Sequence, residues 1–95
     1  GPKKVIPQTG DLLVSTEAFA KVELKPVGPA VAARPLVKNV PRSGEVEFED
    51  IRPGQYTIAA ASKGFYATDS EITITAGKTF VVNLELEKVK YELNI

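Results

Sequence analysis

The chain has 95 residues, 43% of them hydrophobic and 25% charged, a composition that excludes disorder and a length that supports one domain around one core. Its 12 basic and 12 acidic residues cancel, so no net field draws in nucleic acid or an anionic membrane surface, and neither partner is expected. Cysteine and histidine are absent, which removes disulfides, thiolate chemistry, the usual zinc ligands and the commonest general base, while leaving the redox compartment open.

Residues 1–9 carry proline and lysine without periodicity and read as linker. Methionine is missing throughout, and Gly1-Pro2 matches the remnant left when a site-specific protease removes a purification tag. The chain is therefore expected to be a piece of a larger protein, with targeting signals outside it. No apolar run approaches the roughly 18 residues of a spanning helix, so no direct membrane insertion is expected.

Order is expected from Gly10. In "DLLVS", Leu12 and Val14 share a face, and in "AKVELKP" Val22 and Leu24 do so, with Lys21, Glu23 and Lys25 opposite. Both segments read as half-buried strands. The stretch "VGPAVAARPLVKNVPRSG" holds Pro29, Pro35 and Pro41, each lacking a ladder donor, so any strand around 31–37 is an edge or irregular strand. From Gly44 a period of two sets Val46 and Phe48 inward, then Tyr56, Ile58 and Ala60, then Ile72 and Ile74, then Phe80, Val82, Leu84 and Leu86. Glycine-bearing turns "RPGQ", "SKGF" and "TAGK" punctuate these runs at the spacing of a sandwich or barrel. No segment has helical periodicity. Strands with one apolar face need a second sheet to cover it, so the expected fold is a small all-β antiparallel sandwich of about six or seven strands.

Within "DIRPGQYT", Pro53 suits the second position of a type II turn and Gly54 the third, where φ is positive. This turn sets the register that points Tyr56, rather than Gln55, into the core.

Residues 44–87, "GEVEFEDIRPGQYTIAAASKGFYATDSEITITAGKTFVVNLELE", resemble PEGA domains and the wider carboxypeptidase-regulatory-like, transthyretin-like sandwiches. The matching residues are Pro53, Gly54 and Tyr56 of a P-G-x-Y turn, then Gly64 and Phe65, then Gly77 and Thr79 before a last apolar strand. Upstream, Gly10, Val14, Ser15, Ala20, Val22 and Leu24 match the opening strand, elbow and second strand. At the elbow Glu17 and Phe19 stand where the family name implies proline and glycine, so this corner is expected to be shaped differently. The resemblance implies an accessory module of envelope, surface or exported multidomain proteins of bacteria and archaea, sometimes repeated and sometimes attached to a kinase or hydrolase. Its motifs concern turns and core, and a shared fold does not carry a function with it.

No catalytic constellation emerges from the residues. Ser15, Ser43, Ser62 and Ser70 lack a nucleophile-elbow or S-x-x-K setting, and the glycines match no phosphate-binding fingerprint. Glu45, Glu47 and Glu49 share the face opposite Val46 and Phe48, as a solvated strip or a site for a cation or basic partner. Same-face neighbours on a strand lie about 6.6 to 6.8 Å apart, too far for all three to ligate one ion, so no metal and no cofactor are assigned. Of the adjacent aromatics Phe65 and Tyr66, Tyr66 is expected outward, where a ring can support a sugar.

The tail changes phase. Val89, Tyr91, Leu93 and Ile95 continue the alternation on odd numbers, so a bulge, bend or change of sheet is expected at Glu87-Lys88. The expected organisation is linker over 1–9, the sandwich over 10–88, and a connector or added edge strand over 89–95. Its partner is the Val5-Ile6 lead, a neighbouring module, or a second copy in weak self-association through Tyr91 and its neighbours. The functional expectation is a non-enzymatic spacer or protein-interaction module of a larger extracytoplasmic protein. The alternatives are a carbohydrate- or cell-wall-binding module and an accessory folding domain beside a catalytic one.

Overall fold

The computed structural model describes residues 5–28 and 34–90, in which seven strands form two sheets and no helix occurs. Strands β1 (Gly10–Ser15), β4 (Glu45–Ile51) and β7 (Thr79–Asn83) form a three-stranded sheet ordered β4-β1-β7. Strands β2 (Lys21–Pro26), β3 (Leu36–Asn39), β5 (Gly54–Ala61) and β6 (Thr68–Ile74) form a four-stranded sheet ordered β3-β2-β5-β6. This is the expected all-β sandwich. All pairings are antiparallel except β1 with β7, which run parallel from Asp11↔Thr79 to Ser15↔Asn83. The long excursion between those strands supplies the crossover that a parallel pair requires.

The inward sets meet as the alternation dictates. Leu12 and Val14 of β1, Val22 and Leu24 of β2, Phe48 of β4, Ile58 of β5, and Ile72 and Ile74 of β6 are buried in one cluster. Each such side chain contributes about 1.5 to 3 kcal/mol relative to exposure, and among the described residues no polar side chain is buried at a cost against it. Phe80 departs from the expected burial and is 37% exposed. It keeps the inward phase, since its neighbour Val81 is 66% exposed, but β7 is the sheet edge and a gap of about 360 Å³ separates Phe80 from β6. Val82 and Leu86 are half-buried, whereas Leu84, beyond the end of β7, is buried.

Two core residues escaped the alternation. Between Gly10↔Ile51 and Leu12↔Phe48 the register shifts, so two steps along β1 face three along β4. Asp50 absorbs the extra residue with φ of 56°, its N–H donating to Asp11 Oδ1 at 3.0 Å while Thr9 Oγ1 donates to its Oδ1 at 3.3 Å. This bulge reverses the phase and buries Ile51 beside even-numbered Phe48. Val40 follows the short edge strand β3, where its carbonyl accepts from Phe19 N–H at 2.9 Å and its own N–H donates to Ala20 O at 2.8 Å. These bonds hold Val40 in the core and fix an elbow in which Phe19, at φ of 66°, is turned outward and 69% exposed. The corner is thus shaped without proline or glycine.

The Pro53-Gly54 corner differs in detail from a type II turn. Gly54 has φ of 148°, larger than the type II value near 80°, and it already opens β5 opposite Ile74. No backbone bond from Gln55 N–H to Arg52 O closes the turn; instead Tyr56 Oη donates to Arg52 O at 2.6 Å, four residues back. Tyr56 is 8% exposed, and Gln55 is exposed. A tyrosine early in a strand that ties its hydroxyl to the preceding corner is a recurrent device of sandwiches, and here it does the closing that a turn bond would do.

Candidate functional site

Besides the gap beside Phe80, concave surfaces lie at both ends of the sandwich. At the end where β1 and β7 finish and β4 begins, an open groove of about 450 Å³ is lined by Ser15, Thr16, Ser43 and Asn83 with the carboxylates of Glu17, Glu45 and Glu85. Thr16 Oγ1 donates to Leu84 O at 2.7 Å, so that hydroxyl is engaged in holding the outgoing chain. The hydroxyls have no imidazole or thiolate beside them to act as base, because the chain contains neither. At the opposite end, a recess of about 200 Å³ between the sheets is walled by Leu24, Leu36, Ile51 and Tyr56, with Arg34 and Arg52 at its rim. It is smaller than the roughly 300 to 1,000 Å³ of small-molecule pockets.

Glu45, Glu47 and Glu49 are exposed along β4. Only Glu45 reaches the groove, and among the described residues no group of three or more acidic, histidine or cysteine side chains could hold a metal ion. Lys38 of β3 approaches this strip and meets the backbone: Nζ donates to Glu47 O at 2.7 Å and stands 5.3 Å over the Phe48 ring. The alkyl stem and cation of Lys38 therefore cover the seam between the β3 and β4 edges of the two sheets. Sequence spacing did not single out Lys38, because it reaches across from the other sheet.

Phe65 is half-buried and Tyr66 is 54% exposed, in the turn between β5 and β6. The outgoing chain crosses this turn. Lys88 forms an antiparallel bridge with Phe65, Tyr66 N–H donates to Glu87 O at 2.8 Å, and Val89 N–H donates to Gly64 O at 2.9 Å. The chain thus leaves β7 and crosses to the other sheet around the position where its phase changes. Val5 and Ile6 are exposed, and Tyr91 with the rest of 91–95 lies outside the described residues. Gly64 and Gly77 have φ of 87° and 77°, and Gly77 N–H donates to Thr9 O at 2.9 Å, fastening the incoming chain at the start of β7.

No family model and no curated protein matches the chain. Among solved structures it is similar to the minor pilin of the Gram-positive pathogen Streptococcus agalactiae, with a TM-score of 0.69 and 20% identity over 97% of this chain and 50% of that one. It is also similar to the Bacillus anthracis TIE protein, with a TM-score of 0.68 and 18% identity over 86% of this chain and 17% of that one. The chain spans half the length of the first and about a sixth of the second. At these identities the likeness establishes a shared sandwich fold.

Proposed function

We propose that the chain is a non-catalytic spacer module of an exported or surface protein, joining neighbouring domains end to end. The observation that carries this reading is where the chain enters and leaves: β1 begins at one pole, and β7, parallel to it, ends at the other. A module with this polarity extends its protein by its own length. The fold is that of domains occupying a fraction of a minor pilin and of the TIE protein, which supports an extracytoplasmic setting with other domains as partners. The turn residues Pro53, Gly54 and Tyr56 support membership of the PEGA and transthyretin-like group, and the absence of histidine and cysteine, which leaves the groove hydroxyls without the imidazole of a Ser-His pair, supports a non-enzymatic role.

Reporter domains fused to both termini test the proposal by small-angle scattering. The expected maximum dimension is close to the summed lengths of the three bodies, and side-by-side reporters with a much shorter dimension would sink it. Titration against peptidoglycan fragments and surface polysaccharides is expected to give no saturable binding. Binding lost on Tyr66→Ala would replace the spacer with a carbohydrate-binding module.

A further inference from the structure

We infer that the sandwich is a load-bearing element, in which β1 and β7 form a clamp that meets tension applied along the chain in shear. The inference rests on the spacer reading for its biological setting and on strand topology for its physics. Tension on residues before Gly10 draws β1 toward its own start, and tension on residues after Asn83 draws β7 toward its own end. In a parallel pair these directions are opposite along one shared axis, so the strands are asked to slide and the ladder bonds resist together. Two strands pulled from adjacent ends would instead separate one bond at a time.

The ladder is continued at both ends. Before the first pair, Asp11 N–H donates to Lys78 O and Gly77 N–H to Thr9 O, each at 2.9 Å. After the last pair, Leu84 N–H donates to Ser15 O at 2.8 Å and Thr16 Oγ1 to Leu84 O at 2.7 Å. β1 is also the central strand of its sheet, so withdrawing it must shear β4 as well. A slip of one residue would carry Leu12 and Val14, both fully buried, to the outer face. The bridge of Lys88 to Phe65 has no such support and lies in series with the clamp on the outgoing side, so it opens first.

Single-molecule pulling on the full chain tests this, with handles at the two termini in one experiment and at the N-terminus and a Lys78→Cys handle in the other. The chain has no cysteine of its own, so that attachment is unique, and Lys78 is exposed. In the second geometry both forces enter at the Asp11↔Thr79 end and peel the strands apart. The expected result is a rupture force at least about twofold higher between the termini at the same loading rate, because rupture is governed by the barrier along the pulled direction. A low-force opening of the tail precedes a release of roughly 230 Å, the extended length of residues 10–83 at about 3.3 to 3.6 Å per residue less the folded length. Equal rupture forces in the two geometries, with Lys78→Cys matching the parent chain in denaturant, would overturn the clamp. This outcome is independent of the proposed spacer role: a polysaccharide-binding chain could still show the force ratio, and a spacer could lack it.

Discussion

The two poles of the sandwich are built differently. At the entry pole, Thr9, Asp11, Asp50, Arg52, Tyr56 and Gly77 are joined by side-chain and backbone bonds, and Gly10 is so tightly surrounded that a Cβ there would collide with the Thr75 carbonyl oxygen and stand 2.9 Å from Ile74 Cγ2. At the exit pole the chain passes an open groove lined by carboxylates and hydroxyls, and the outgoing segment is held by a few bonds to Ser15, Thr16 and the Ser62–Tyr66 turn. The entry pole has to reconcile a bulge, a corner and the start of a parallel pair, and each constrains the others. The exit pole also carries the elbow that seats Val40, but the outgoing chain beyond Leu84 takes little part in it. Stability should therefore respond strongly to changes at the entry pole and weakly to changes in the outgoing chain.

Tyr56→Ala is the severest way to break the entry pole. Loss of a buried ring and of the bond to Arg52 O is expected to cost on the order of 3 to 5 kcal/mol, whereas Tyr56→Phe removes the bond alone and is expected to cost about 0.5 to 1.5 kcal/mol. A denaturation midpoint for Tyr56→Ala within error of the parent would show that the corner is held by something else. Gly10→Ala comes next, at about 1 to 3 kcal/mol, because the atoms its methyl meets include backbone of the β6–β7 turn, which must shift as a unit. Chemical denaturation measures it directly, and a neutral result would mean that the turn yields freely.

Gly54→Val is expected to cost about 1 to 3 kcal/mol through backbone strain alone, since no atom lies within 4 Å of the position a Cβ would take. Gln55→Val, exposed in the same strand, is expected within about 0.5 kcal/mol of the parent. Equal costs for the pair would remove positive φ as the reason for glycine. The smallest effect belongs to the exit pole: deleting residues 89 to 95 removes the Val89 bond to Gly64 and is expected to leave cooperative unfolding intact with a loss of about 1 kcal/mol. Any self-association seen by sedimentation should weaken with it. Loss of folding would place the outgoing chain in the core and erase the contrast between the poles.

Alternation along the chain was enough to identify the buried faces of β1, β2, β5 and β6, because a strand's two faces are a local property of successive residues. The Pro53-Gly54 corner was legible for the same reason, as was the outward position of Tyr66 and the change of course near Lys88. The groove at the exit pole was not, since it is assembled from the ends of three strands distant in sequence, and neither was Lys38, which acts on the opposite sheet.

What the sequence by itself determined is therefore the class of the protein: strands with one apolar face, the turns between them, and a chemistry without imidazole, thiol or net charge. Only the tertiary structure decided that β1 and β7 pair in parallel, that a bulge at Asp50 buries Ile51, that Val40 plugs the core after an edge strand, and that Phe80 stands half in solvent. Each of these depends on which strand lies beside which. Pairing is a contact between residues far apart along the chain, and an alternating strand presents the same apolar face whether its neighbour runs parallel or antiparallel, at the sheet's centre or at its edge.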